Sequence, residues 1–101
     1  MSSPDSEKSW HFLTSHSQVL ICLHNNPDAR LRDVAETVGI TERAAQRIVT
    51  DLVDAGYVTR VRVGRRNRYE LDPNVAMRHP SQYDHQIGEL LDLLGASPDP
   101  T

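Results

Sequence analysis

Cysteine is almost missing: the single Cys22 among 101 residues excludes an internal disulfide and any two-cysteine metal knuckle, which makes a reducing compartment the simple assignment. Long apolar runs are missing too, none reaching the roughly 18 residues that a membrane span needs. The start MSSPDSEKS is polar and acidic, unlike a secretory leader, so the expected location is the cytoplasm, with no membrane partner. There is no glycine-rich phosphate loop, nucleophile elbow or two-histidine zinc motif, and so short a chain has little room for a closed pocket. Neither an enzyme nor a cofactor is expected.

What is present is uneven charge. The net charge of −3 hides a basic centre: residues 30–71 carry nine Arg against six acids, while 1–29 carry one Lys against three acids and 72–101 one Arg against five. Five of the arginines fall between Arg60 and Arg68. A basic centre between acidic ends is a local footprint for phosphate on a soluble chain.

The stretch Leu31 to Gly56 organises the rest. Leu31, Val34, Ala35 and Val38 form the apolar set of a short helix, Gly39 is placed to end it, and Thr41 to cap the next. In that next helix, Glu42 to Ala55, Ala45, Ile48, Val49 and Leu52 share one face at helical spacing. Arg43, Gln46, Arg47 and Thr50 share the opposite one. These donors and acceptors suit base edges in a major groove, although any soluble helix also keeps a polar face. Two helices joined this way form a helix-turn-helix candidate.

Around this core the chain divides into four parts. Residues 1–9 read as a disordered tail, 10–72 as the folded domain, 73–94 as a connector and C-terminal helix, and 95–101 as a loose end. Thr14 or Ser15 can cap a helix running to about Asn25, although the run Val19 to Leu23 would also suit a buried strand. Ala29 to Leu31 can form a very short strand. No metal site is expected from His11, His16, His24 and Cys22, because helical spacing puts His16 and Cys22 roughly 600° of rotation apart. Cys22 reads as a small buried hydrophobe, and His79 and His85 as solvated loop residues.

After the long helix, YVTRVRV alternates in period two, with Tyr57, Thr59, Val61 and Val63 on one face. A three-residue loop, Arg65-Arg66-Asn67 with Asn67 at positive φ, would set Val63 opposite Tyr69 and Val61 opposite Leu71, giving an apolar inner side. Arg65, Arg66 and Asn67 then form the tip, with Arg60, Arg62 and Arg68 along the outer edge. All five cations are arginine, which favours bidentate phosphate contacts, though charge also protects a hairpin edge from aggregation.

Residues 13–72 resemble the winged helix-turn-helix regulators of bacteria and archaea, the class that includes the MarR and ArsR groupings. The likeness lies in LRDVAETVGIT for the positioning helix and turn, ERAAQRIVTDLVDAGYVTR for the recognition helix and first wing strand, and VGRRNRYEL for the wing. It implies a mainly α fold with a small β-hairpin: a three-helix core, a wing and a C-terminal helix. By the same resemblance Arg43, Gln46, Arg47 and Thr50, with Thr41 at the helix start, would read DNA, and Arg65, Arg66 and Arg68 would serve the wing. The chain departs from metal-sensing ArsR proteins in having no cysteine in its recognition helix, and from MarR proteins in lacking long flanking helices. A small-molecule effector is therefore undetermined.

In the tail, Ser81 with Asp84 resembles a helix start, and Tyr83, Ile87, Leu90, Leu91 and Leu94 form an apolar stripe. This stripe either packs on its own domain or meets a second copy, with Gly88 permitting close approach; Trp10 and Phe12 either join the monomer's own core or add to that contact. The function that results is a homodimeric, sequence-specific regulator of transcription, a repressor by expectation, on double-stranded DNA in the nucleoid. A protein-binding adaptor and, more remotely, an RNA-binding module are the alternatives.

Overall fold

The computed structural model describes residues 12–95. Trp10, His11, the tail 1–9 and nearly all of 95–101 lie outside them. Helix α1 (Ser15–Asn25) starts where the Thr14 hydroxyl accepts the Ser17 amide at 3.2 Å. It is a helix, and the strand alternative is set aside. Val19, Leu20 and Leu23 enter the core while Ile21 and Cys22 stay half-buried, so α1 is less enclosed than its apolar run suggests. Burial pushes the Cys22 thiol up, against a hydrogen bond with Thr37 that lowers it.

Helix α2 (Leu31–Val38) begins directly at Leu31, so no strand forms over Ala29 to Leu31. Gly39, at φ +89°, closes it with its amide 2.8 Å from the Ala35 carbonyl. Two residues later the Thr41 hydroxyl accepts the Ala44 amide at 3.0 Å and opens α3 (Glu42–Asp54). Ala45, Ile48, Val49 and Leu52 of α3 are buried, as the periodicity requires, and α1, α2 and α3 pack mutually around Val19, Leu23, Val34 and Val49.

The hairpin departs from expectation. Strands β1 (Val58–Val63) and β2 (Arg66–Leu71) pair antiparallel, with Val63 opposite Arg66, Val61 opposite Arg68, Arg60 opposite Tyr69 and Val58 opposite Leu71. The turn is the two residues Gly64-Arg65, with Gly64 at φ +63°; no described non-glycine residue has positive φ, and Asn67 lies inside the strand. Gly64 takes the left-handed position without a Cβ penalty, which favours the shorter turn. Because side chains alternate, a one-residue change of register exchanges the faces. Val58, Tyr69 and Leu71 face inward, and Val61 and Val63 lie on the other side, with Val63 56% exposed. Tyr57, one residue before β1, is buried and donates its hydroxyl to the Ala76 carbonyl at 2.8 Å.

The C-terminal helix α4 (Ile87–Leu94) also begins later than its Ser81 signal. Ala76 bridges Gln86, the Met77 amide donates to the His85 carbonyl and the Ile87 amide to the Val75 carbonyl, which holds Gln86 extended at φ −88° and ψ 152°. Extended backbone there cannot be helical, so the start moves to Ile87. Ile87 and Leu91 are buried in the chain's own core and α4 lies on α1, which removes both residues from any external face. Tyr83 leaves the stripe altogether, 66% exposed. Gly88 does permit close approach, but to Pro73 of the same chain: its amide donates to the Pro73 carbonyl, and an added Cβ would meet Pro73 at 2.8 Å.

At the start of α4, His85 Nδ1 lies 2.8 Å from Glu89 Oε1, and Glu89 Oε2 accepts the Gln86 amide at 3.0 Å. The hydrogen bond to Glu89 and its charge raise the His85 pKa above 6.5. The same bond, then the Gln86 amide, lower that of Glu89 below 4.5. A raised imidazole pKa contributes stability that is complete below the unfolded value and lost as pH rises through the folded one; a lowered carboxyl pKa contributes stability lost as pH falls through it. The α4 amides are therefore expected to exchange slowest, after correction for intrinsic rates, between pH 4.5 and 6.5. His85→Gln should abolish the loss of protection on the alkaline side.

Candidate nucleic-acid interface

With Ala45, Ile48, Val49 and Leu52 inside, the opposite face of α3 has no choice but solvent. Arg43, Gln46, Arg47 and Thr50 are all exposed, and none of the first three side chains has a hydrogen bond or ion pair among the described residues. Thr50 donates its hydroxyl to the Gln46 carbonyl at 3.0 Å, leaving that oxygen free to accept. Thr41 is exposed too, with one acceptor position of its hydroxyl committed to the cap. The face thus offers two guanidinium forks, one amide and one hydroxyl in a row, a set able to pair with the base edges of guanine and adenine.

Helix α3 is also tied to α1. His16 Nε2 on α1 lies 2.8 Å from Asp51 Oδ2, one turn beyond Arg47 on α3. Exposed pairs of this kind are worth about 1 kcal/mol or less. The pair nevertheless occupies one of the acids that flank the basic face.

The hairpin arginines, expected as one outer row, separate into two sets. Arg60 and Arg62 share the face of Tyr69, Arg62 donating from Nε to the Gly64 carbonyl at 3.0 Å, while Arg66 and Arg68 share the face of Val61 and Val63. Arg66 and Arg68 are tethered to the loop before α2. Arg66 donates to the Asp28 carbonyl at 2.6 Å, and Arg68 Nη1 reaches both Asp28 carboxylate oxygens at 3.0 Å. Alongside them the Tyr69 amide donates to the Pro27 carbonyl at 3.0 Å, so this loop completes the free edge of β2. Asn67 is half-buried. Arg65, at the turn, and Arg60 stay exposed without a partner among the described residues.

Sequence reasoning missed Asp28. It reads there only as part of the Asn-Pro-Asp signal that ends α1, and its one visible oddity is that it is the sole acid between His16 and Asp33. Its partners lie 38 and 40 residues away, a separation no local pattern encodes.

Among the remaining predicted contacts, Phe12 is 92% and Leu94 42% exposed, and Leu90 is half-buried. Leu93, absent from the predicted stripe, is 78% exposed and widens the apolar surface of α4.

Replacing Asp28 with Ala should cost at most about 1 kcal/mol in global stability, as expected for an exposed ion pair. It should, however, accelerate exchange of the Tyr69 amide several-fold, because the loop that accepts it loses the Arg68 clamp and keeps only the bond from Arg66 to the residue-28 backbone carbonyl. Unchanged exchange at Tyr69 would show that the hairpin holds its position without Asp28.

A helix-turn-helix, an exposed Arg-Gln-Arg face and an arginine hairpin braced on the preceding loop are now in place. The model of the MarR family matches residues 13–68, from the approach to α1 through the first half of β2. Comparison with curated protein sequences finds no match. Because the matched span is more than half of the chain, the protein belongs to the MarR family of DNA-binding transcription regulators.

Proposed function

We propose that this chain is a sequence-specific regulator of transcription, a repressor, that binds double-stranded DNA as a homodimer in the nucleoid. Helix α3 enters the major groove and the hairpin tip meets the backbone or minor groove. The observation that carries the reading is the state of Arg43, Gln46 and Arg47: three long polar side chains in one row, exposed and without a partner among the described residues, on a helix whose other side is fully committed to the core. Guanidinium groups held that way retain their whole hydrogen-bonding capacity for a ligand.

Dimerisation follows from reach. One recognition helix reads only a few base pairs, and a second, one helical turn away, supplies the remaining specificity. Support comes from the exposed apolar side chains Phe12, Leu93 and Leu94, with Leu90 half-buried beside the last two and Trp10 close to Phe12 in sequence. Ile87 and Leu91 contribute only by fixing α4 on the core.

The roles separate under mutation. Arg47→Ala should cost about 1–3 kcal/mol on a selected operator and little on random duplex, since a base contact carries sequence information. Arg65→Ala should weaken both alike and reduce the salt slope by up to about 0.9, as loss of one phosphate contact does. Fluorescence anisotropy on the two duplexes measures both; equal losses everywhere for Arg47→Ala would refute base reading. No salt-sensitive retention of any duplex at low salt would instead favour the protein-binding adaptor.

For the assembly, sedimentation of the full chain is expected to give a dimer that Leu94→Asp converts to monomer with its helical circular dichroism preserved. A wild-type monomer at micromolar concentration would sink the dimer.

A further inference from the structure

A second cationic feature lies apart from the α3 face. An open cleft of about 430 Å³ separates the hairpin turn from the beginning of α2, and Ala29, Arg30, Leu31, Arg65, Arg66, Asn67 and Tyr69 line it. Its walls hold three guanidinium groups and no carboxylate. Arg30 comes from the residue preceding α2, Arg65 from the hairpin turn and Arg66 from the first position of β2, so the fold gathers them from segments 35 residues apart.

The acid closest to Arg30 in sequence is already spent. Asp28 gives both carboxylate oxygens to Arg68, and its backbone carbonyl fixes Arg66 at the edge of the cleft. Neither the Arg30 nor the Arg65 side chain has a hydrogen bond or ion pair among the described residues. Three like charges around one concavity repel one another unless an anion lies between them. Planar forks converging from two sides suit a group with several charged oxygens arranged in three dimensions.

We propose that this cleft binds one phosphoryl group, held jointly by Arg30, Arg65 and Arg66. Where that phosphate belongs to a duplex, the inference rests on the DNA-binding reading and adds to it a residue from outside both the recognition helix and the wing. A single backbone phosphate then ties the hairpin to the first helix of the helix-turn-helix. A free phosphoester, such as a nucleotide, offers the same chemistry from another source.

The test uses the full chain in phosphate-free buffer. Anisotropy with a random-sequence duplex, titrated with salt, should show Arg30→Gln weakening binding several-fold and lowering the slope of log K against log salt by up to about 0.9. Arg78→Gln removes the same charge from an exposed site outside the cleft and should leave the slope unchanged. Combining Arg30→Gln with Arg65→Gln should cost less than the product of the two single fold-losses, because residues on one phosphate are coupled. A slope change in Arg78→Gln equal to that in Arg30→Gln, or strictly multiplicative losses, would overturn the shared phosphate.

If the wild-type chain holds no duplex, the DNA reading fails and the cleft is judged on its own. Phosphorus resonances of inorganic phosphate and of adenosine monophosphate are then titrated with protein. A shift seen with wild type and lost in Arg30→Gln assigns the cleft to a free phosphoester; no shift with wild type overturns the site.

Discussion

The burial of one face of α3 is the constraint on which the rest depends. Ala45 and Val49 are wholly inaccessible, and Ile48 and Leu52 nearly so, because α1 and α2 close over them. Removing about 25 cal/mol of apolar cost per Å² makes any rotation of α3 about its axis expensive. A helix so fixed presents Arg43, Gln46 and Arg47 outward whether or not DNA is present. That polar face is thereby organised by the fold itself, with no ligand needed to order it.

The hairpin obeys a different constraint. Two strands alone are marginal in water, and this pair gains its stability from outside itself. Tyr69 and Val58 pack inward, the Pro27 carbonyl takes the Tyr69 amide, and Asp28 clamps Arg66 and Arg68. Two of the five arginines are consequently structural as well as cationic, and Arg60 and Arg65 are the ones left without a partner among the described residues. The loop between α1 and α2 that looks like a mere connection in the sequence is the bracket that sets the hairpin beside the helix-turn-helix.

The C-terminal helix divides its apolar residues between the core and the surface. Ile87 and Leu91 anchor it to α1, while Leu90, Leu93 and Leu94 turn partly or largely outward. A single short helix here has an inner apolar edge and an outer one, so the choice between packing within the chain and packing on a partner is not exclusive. The acidic ends, meanwhile, keep the chain's net charge at −3 around its basic middle.

Helical periodicity was enough to locate α2 and α3, the buried residues of α3 and the polar row opposite them, because each depends on neighbours three and four residues away, whereas the unbroken apolar run of α1 also fitted a strand. Gly39 and Thr41 marked the turn for the same reason: both act on backbone within a few positions. The hairpin register, the clamp at Asp28 and the late start of α4 were beyond such reading. Gly64 competed with Asn67 for the turn, and a one-residue difference exchanged the faces; Asp28 found partners about 40 residues away; and residues 85–87 were drawn into pairing with 75–77. Local spacing determines which residues share a face, whereas which face is covered, and by what, is decided only when distant segments compete for the same hydrogen bonds and the same apolar surface.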